Sequence, residues 1–102
     1  MPAPEMTDEQ RAAALQRAAE ARRVRAEIKQ LLKTGSLTMQ DVFDRAEEDD
    51  LVAGIKISAL VAAMPHMGKI KTIRLLEDLK IAENRRLRGL TPRQRADLLA
   101  SF

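Results

Sequence analysis

Residues 64–71, MPHMGKIK, combine a turn with the start of a helix. Gly68 can adopt backbone angles that are closed to other residues, so we expect it to shape the turn. A helix beginning at Lys69 would present unpaired first-turn amides, and Lys69 and Lys71 add positive charge beside them. The segment therefore predicts an anion site suited to a phosphate group. The alternative is a plain turn between two helices.

A second segment, NRRLRGL at residues 84–90, carries three arginines within four positions. The planar guanidinium suits phosphate better than an ammonium group does, and we expect Leu87 and Leu90 to tie the segment to the core. Arg85, Arg86 and Arg88 are therefore predicted to bind an anion. The alternative is that these arginines cap the carbonyls that end the preceding helix, a role that needs one arginine rather than three.

The elements that hold these segments are predicted to be helices, because apolar residues recur at helical spacing and strand-like alternation is absent. The fold class is all-α, with a long N-terminal helix followed by a compact four-helix domain. The five predicted helices span about residues 7–34, 38–48, 58–64, 69–79 and 91–99. Residues 1–6 are predicted to be a disordered tail, and residues 7–102 to form a single domain.

Local signals mark the ends of these helices. Thr7, Thr38 and Thr91 each stand where a side chain can cap the first turn, and the third residue after each is a glutamine or an aspartate. Gly35 is expected to stop the first helix in a left-handed conformation. Pro65 is expected to end the third helix.

Apolar positions predict which helix faces are buried. Only the C-terminal half of the first helix carries a full apolar stripe, so only that half is expected to pack firmly. In the fourth helix the predicted apolar face consists of Ile70, Ile73, Leu76 and Leu79.

Charge is divided unevenly along the 102 residues, although the net charge is only +3. Residues 1–33 hold seven basic and five acidic groups. Residues 34–50 hold one basic and six acidic groups, and residues 51–102 hold ten basic and four acidic groups. The C-terminal half is therefore basic and follows an acidic segment. This asymmetry is typical of a protein that faces a polyanion on one side, although a solvated surface can look the same.

Several classes of protein are excluded by composition. The chain has no cysteine and one histidine, His66, so we expect no disulfide, no metal and no cofactor. No nucleophile stands beside a positioned base, so we expect no enzyme and no small-molecule substrate. No apolar run approaches the ~20 residues that span a bilayer, so we expect no membrane contact.

The order helix, Gly turn, helix, Asn-Arg-x-x-x-Gly-Leu-Thr loop, helix resembles the helix-two-turns-helix motif over about residues 57–99. That motif occurs in a small-subunit ribosomal protein that contacts RNA, in DNA glycosylases of the formamidopyrimidine type and in type II topoisomerase VI. The resemblance implies nucleic-acid binding.

The whole chain resembles the actinobacterial integration host factor family. The stretches that match are RAAALQRAAEARRVRAEIK, KISALVAAMPHMGKIK and NRRLRGLTPRQRADLL. The resemblance implies a monomeric, cytoplasmic, nucleoid-associated protein that binds and bends double-stranded DNA with little sequence preference. It also implies roles in chromosome compaction and phage integration.

The resemblance also implies the site. Carried over to this sequence, the family's DNA contacts would fall on Gly68, Lys69, Lys71, Arg85, Arg86 and Arg88. We add Pro65, Ile70 and Gly89 in the same segments, Arg93 just beyond the second segment, and a possible second contact through Arg22, Arg23 and Arg25. The contacts are expected to be mostly with phosphates and the minor groove. His66 and Met67 depart from the smaller or β-branched residues expected in the turn.

Other interpretations stay open at this point. Pro65 either ends its helix or wedges between base steps from the minor groove. The protein as a whole could be an RNA-binding or ribosome-associated protein, because an arginine loop does not by itself distinguish RNA from DNA. A third interpretation treats the acidic segment 41–50 and the first helix as a docking surface for a protein partner.

Overall fold

A computed structural model describes residues 6–102. Within that range every regular element is helical, and the prediction of an all-α fold with a long N-terminal helix is confirmed. The helices are α1 (Asp8–Lys33), α2 (Met39–Glu48), α3 (Asp50–Ala53), α4 (Ile57–Ala63), α5 (Lys69–Asp78) and α6 (Pro92–Ala100), with a 3₁₀ helix at Leu87–Gly89. The predicted tail lies outside these residues except for Met6, which is 49% exposed.

The predicted helix starts are confirmed by their hydrogen bonds. Thr7 accepts from the Gln10 amide while the Gln10 side chain accepts from the Thr7 amide, at 3.1 and 2.9 Å. Thr91 and Gln94 form the same reciprocal cap, and Thr38 forms one with an aspartate. Gly35 has φ +78 and closes the end of α1, as expected from its lack of a Cβ atom.

Only the second half of α1 is packed, as predicted. Ile28 and Leu32 are buried, and this half contacts α3 and α4. Residues 8–20 carry no buried side chain, and Leu15 is 66% exposed. The projecting helix explains why the radius of gyration is 15.7 Å, against about 13 Å for a compact chain of this length.

Two short helices, α3 and the 3₁₀ helix at Leu87–Gly89, were not predicted. The acidic run does end α2 at Glu48, but Asp49 then accepts a hydrogen bond from the Leu51 amide at 2.9 Å and starts α3. The sequence prediction treated these acids only as a stop, although aspartate is also a good N-cap. Val52, in α3, is buried.

One hydrophobic core joins these elements. It consists of Ile28, Leu32, Met39, Val42, Phe43, Val52, Ile55, Ile57, Leu60, Val61, Leu76, Ile81, Leu87, Leu90 and Leu98. Each α-helix contributes at least one side chain to this cluster, and the 3₁₀ helix contributes Leu87. The core therefore fixes both segments that the sequence singled out.

The predicted apolar face of α5 is wrong at one position. Ile70 is 68% exposed, whereas Thr72 is 3% exposed and lies with Leu76 against the core. At about 100° per residue, Ile70 lies on the opposite side of the helix from Thr72. A large apolar side chain is thus left exposed in the first turn of α5.

No helix among residues 6–102 is long and apolar enough to cross a membrane.

Candidate nucleic-acid interface

The turn between α4 and α5 is built differently from the sequence prediction. Gly68 is extended, with φ −169 and ψ −177, a conformation open to any residue, and a Cβ atom there would meet nothing within 4 Å. The left-handed residue is His66, at φ 63. The turn closes with a hydrogen bond from the Met67 amide to the Met64 carbonyl at 3.2 Å, so the reversal comes before the glycine.

Gly68 is instead the N-cap of α5, and it has no side chain to cap the helix. Among the described residues, no acceptor is bonded to the amides of Lys69, Ile70 and Lys71. All three residues are exposed. The first turn therefore presents free N–H donors and the positive end of the helix dipole to solvent, as the anion-site prediction requires.

The arginine segment is pinned to the strand-like linker between α3 and α4. Lys56 and Arg86 form an isolated antiparallel bridge. It is flanked by hydrogen bonds from the Ile57 amide to the Arg85 carbonyl at 2.9 Å and from the Leu87 amide to a linker carbonyl at 3.0 Å. Leu87 is 1% and Leu90 8% exposed, so the expectation that these leucines anchor the segment is confirmed.

The three arginines do not cap α5, so that alternative is wrong. The last carbonyls of α5 accept from backbone amides that follow the helix. Arg85 donates to the Gly89 carbonyl at 3.1 Å, Arg86 donates to the Gly54 carbonyl, and the Arg88 guanidinium lies over Gly54. All three remain exposed. The loop thus holds its arginines in place through its own backbone and that of the linker.

A groove of about 270 Å³ separates α4 from α5. Ser58 and Ala62 line one side, Lys69 and Ile73 the other, and Glu83 lies at the end nearest the arginine loop. Lys69, at the α5 N-terminus, and Glu83, the residue before the arginine segment, therefore border one surface depression. Glu83 is the acidic residue among its lining side chains.

A larger groove, of about 720 Å³, lies between α1 and the α4–α5 turn. Lys29 and Lys33 line it from α1, and Pro65 and His66 line it from the turn. The sequence prediction did not include these lysines. A signal for them was present in the sequence. Lys29 and Lys33 are four positions apart and follow Arg22 by 7 and 11 positions, a spacing that places all three on one helix face.

Arg22, Arg23 and Arg25 do not lie on one face of α1. At about 100° per residue, Arg22 and Arg25 lie on the face of Lys29, whereas Arg23 is turned away from both. Arg23 lies instead beside Glu20, in a separate shallow groove. The structure therefore divides the second predicted contact into two faces.

Arg93 lies apart from the turn. It is 92% exposed on its side chain and 4.0 Å from Asp97 within α6, in a depression that also contains Lys80. This depression is at the C-terminal end of α5, and Gly68 is at the other end, about 15 Å away along the helix. Arg93 thus stands apart from the phosphate-facing N-terminus of α5.

The fold and these two turns define a helix-two-turns-helix protein. Residues 32–102 match the family described as S13-like H2TH domain. Proteins described as Integration host factor are 50% identical in Mycolicibacterium smegmatis and Mycobacterium tuberculosis, over 100% of this chain and 97% of each relative. One from Streptomyces coelicolor is 43% identical over 100% of this chain and 95% of its own length.

A solved structure, of sIHF bound to an 8-base-pair palindromic DNA, has a TM-score of 0.81 and 39% identity. The match covers 85% of this chain and 98% of that one. The chain belongs to the integration host factor family, and the resemblance found in the sequence is confirmed.

Proposed function

We propose that this protein binds duplex DNA by clamping phosphates between the N-terminus of α5 and the arginine loop. The observation that carries the proposal is that the first turn of α5 presents free amides after Gly68, while the nearby loop holds three exposed arginines in fixed positions through backbone carbonyls. Helix N-termini and guanidinium groups are the two donor types that proteins use most readily for phosphate. The DNA-bound relative supports the choice of DNA as the polyanion.

The contacts are with the backbone, so they position the protein and read no sequence. Little sequence preference is therefore expected. In a cell such a protein would lie on the nucleoid in the cytoplasm, as a monomer, and contribute to compaction and to site-specific phage integration.

We also propose that α1 touches the same duplex. Lys29 and Lys33 face the turn across the larger groove, and Arg22 and Arg25 extend their face toward the projecting half of the helix. A second contact surface would supply the free energy for bending, which costs about 1–6 kcal/mol for a bend of 40–90°.

Two apolar side chains are placed to help the bend. Pro65 and Ile70 are exposed on either side of Gly68, and both residue types serve elsewhere as wedges between base steps in the minor groove. Ile70 is 68% exposed and has no part in the core.

The test is equilibrium binding to several unrelated duplexes by fluorescence anisotropy. Arg85→Ala/Arg86→Ala/Arg88→Ala and Lys69→Ala/Lys71→Ala are expected to weaken binding uniformly across sequences. The matched control for the lysine pair is Arg45→Ala/Lys80→Ala, which removes two positive charges elsewhere and should bind within about twofold of wild type. If the control weakens binding as much as the lysine pair, net charge and not this site holds the DNA.

Two further arms complete the test. Arg22→Ala/Arg25→Ala should weaken binding, while Arg23→Ala, on the other face of α1, should not. Competition with A-form RNA of the same length should leave the DNA bound. Equal competition by RNA would favour the RNA-binding alternative.

A further inference from the structure

The linker segment Gly54–Lys56 lies against the arginine loop and carries a positive charge, Lys56, that the predicted DNA contacts did not include. Lys56 pairs with Arg86 in the antiparallel bridge. The hydrogen bonds on either side of the pair join the neighbouring residues and not the pair itself. Lys56 and Arg86 are therefore a non-hydrogen-bonded pair, the closer of the two kinds.

This geometry sets two like charges side by side. In such a pair the Cα atoms lie about 4.5 Å apart and the side chains share one face. Lys56 and Arg86 are both exposed, and among the described residues Lys56 forms no ion pair. Like charges in this position destabilise a strand pair, so the free protein holds an uncompensated repulsion here.

Gly54 brings a third cation to the same place. Its carbonyl accepts a hydrogen bond from Arg86, and a Cβ atom on it would lie 2.7 Å from Nη2 of Arg88. The absence of that Cβ atom lets the Arg88 guanidinium lie over the linker. Lys56, Arg86 and Arg88 thus surround one short stretch of backbone.

We propose that Lys56, Arg86 and Arg88 together bind one DNA phosphate, with Lys56 as a direct ligand and Gly54 as a positioning residue. The proposal rests on the proposed function. A phosphate between Lys56 and Arg86 supplies the missing countercharge. Arg86 keeps free N–H donors after bonding Gly54, and the Lys56 ammonium offers three.

The first experiment measures the affinity of Lys56→Ala for a duplex as a function of salt. Removing one of the three cations from the shared phosphate should reduce the slope of log affinity against log salt by up to about 0.9, and lower the affinity by up to about eightfold at ~0.1 M salt. Lys80→Ala, a lysine outside the interface, is the control and should keep the wild-type slope. A wild-type slope for Lys56→Ala would overturn the proposal.

The second experiment needs no DNA. Lys56→Glu should pair with Arg86 and raise the thermal midpoint of the free protein by about 2 °C at low salt, because an attractive pair replaces a repulsive one. The difference should shrink at high salt. An unchanged midpoint at low salt would mean that the two side chains do not interact.

Gly54 is tested with a double-mutant cycle. Gly54→Ala should weaken DNA binding in the wild-type background but have little further effect beside Arg88→Ala, since its action passes through Arg88. Equal effects in both backgrounds would contradict a positioning role. If Gly54→Ala does not fold, the Lys56 variants still test whether Lys56 contacts the DNA phosphate directly.

The outcomes separate this inference from the proposed function. If the arginine-loop triple variant binds DNA as well as wild type, the proposed function fails and the phosphate site fails with it. If the triple variant is weak but Lys56→Ala keeps the wild-type affinity and slope, only the role of Lys56 fails.

Discussion

The ammonium group of Lys71 donates a hydrogen bond to the backbone carbonyl of His66 at 3.1 Å. His66 is the left-handed residue of the α4–α5 turn, at φ 63. A side chain from the first turn of α5 thus holds the least favourable backbone position of the turn. Lys71 has a structural role in addition to its charge, whereas Lys69 makes no such bond among the described residues.

This difference separates the two lysines experimentally. Lys71→Ala should lower the free energy of unfolding by about 0.5–1 kcal/mol, because the His66 carbonyl loses its partner. Lys69→Ala should leave stability unchanged, while both variants weaken DNA binding. Urea unfolding measures the stabilities. Identical urea midpoints for the two variants would show that the bond to His66 contributes nothing.

The hydroxyl of Thr72 is buried without a hydrogen-bond partner. Thr72 is 3% exposed in the core-facing side of α5, and an unpaired buried hydroxyl costs about 1–3 kcal/mol. Thr72→Val should therefore raise the free energy of unfolding by about 1 kcal/mol.

Thr91→Val is the contrasting variant for Thr72→Val. It makes the same chemical change at an N-cap, so it should destabilise the protein by about 1 kcal/mol. Thermal unfolding of both variants gives the comparison. A destabilised Thr72→Val would mean that the hydroxyl is satisfied in solution.

Stability at acid pH should depend on Asp41. Hydrogen bonding from the Thr38 backbone amide, and then from the Thr38 side chain, lowers the pKa of this carboxyl below its ordinary value. The stabilisation is complete above the unfolded pKa, at about 3.9, and is lost as pH falls through the lowered folded pKa.

Asp41→Asn tests this dependence because it keeps an oxygen acceptor without the charge. It should be less stable than wild type at pH 7, and the two urea midpoints should converge as the pH falls through the lowered folded pKa of Asp41. Asp44→Asn, on the same helix, is the control, because Asp44 accepts a hydrogen bond from a glutamine side chain and not from a backbone amide. A gap between Asp41→Asn and wild type that persists at the lowest pH would contradict this cause.

Ile70 is expected to affect DNA geometry and not folding. Because it is 68% exposed, Ile70→Ala should change the free energy of unfolding by less than about 0.5 kcal/mol. It should reduce DNA bending, measured by fluorescence transfer between the two ends of a labelled duplex.

Leu15→Ala is the control for Ile70→Ala, because Leu15 is 66% exposed on the projecting half of α1. It should leave the bend at the wild-type value. Pro65→Ala should reduce bending only if the proline also inserts. If Ile70→Ala bends DNA as much as the wild-type protein, Ile70 does not act as a wedge between base steps.

Features encoded locally were predictable from the sequence. The three threonine caps and the Gly35 stop depend on residues a few positions apart, whereas the correctly predicted anchoring of Leu87 and Leu90 followed from their apolar side chains alone. Whether the residues assigned to DNA contact do touch DNA stays a prediction.

Features that depend on distant residues were missed. Arg86 bonds Gly54 across 32 positions, and neither sequence segment indicates the other. The packing of α1 against the turn brings Lys29 and Lys33 to Pro65 in the same way. Ile70 was misassigned because its spacing fits an apolar face, and only the docked position of α5 shows that Thr72 faces the core.

The salt dependence of duplex affinity decides between a phosphate clamp and a nonionic mode of binding. If about five phosphates are engaged, log affinity should fall against log salt with a slope of about −4.5. In Arg85→Ala/Arg86→Ala/Arg88→Ala the slope should weaken to about −2.7, because the phosphate bound by Arg85 and the one shared by Arg86 and Arg88 are both lost. A wild-type slope near zero, or a triple variant with the wild-type slope, would contradict the clamp.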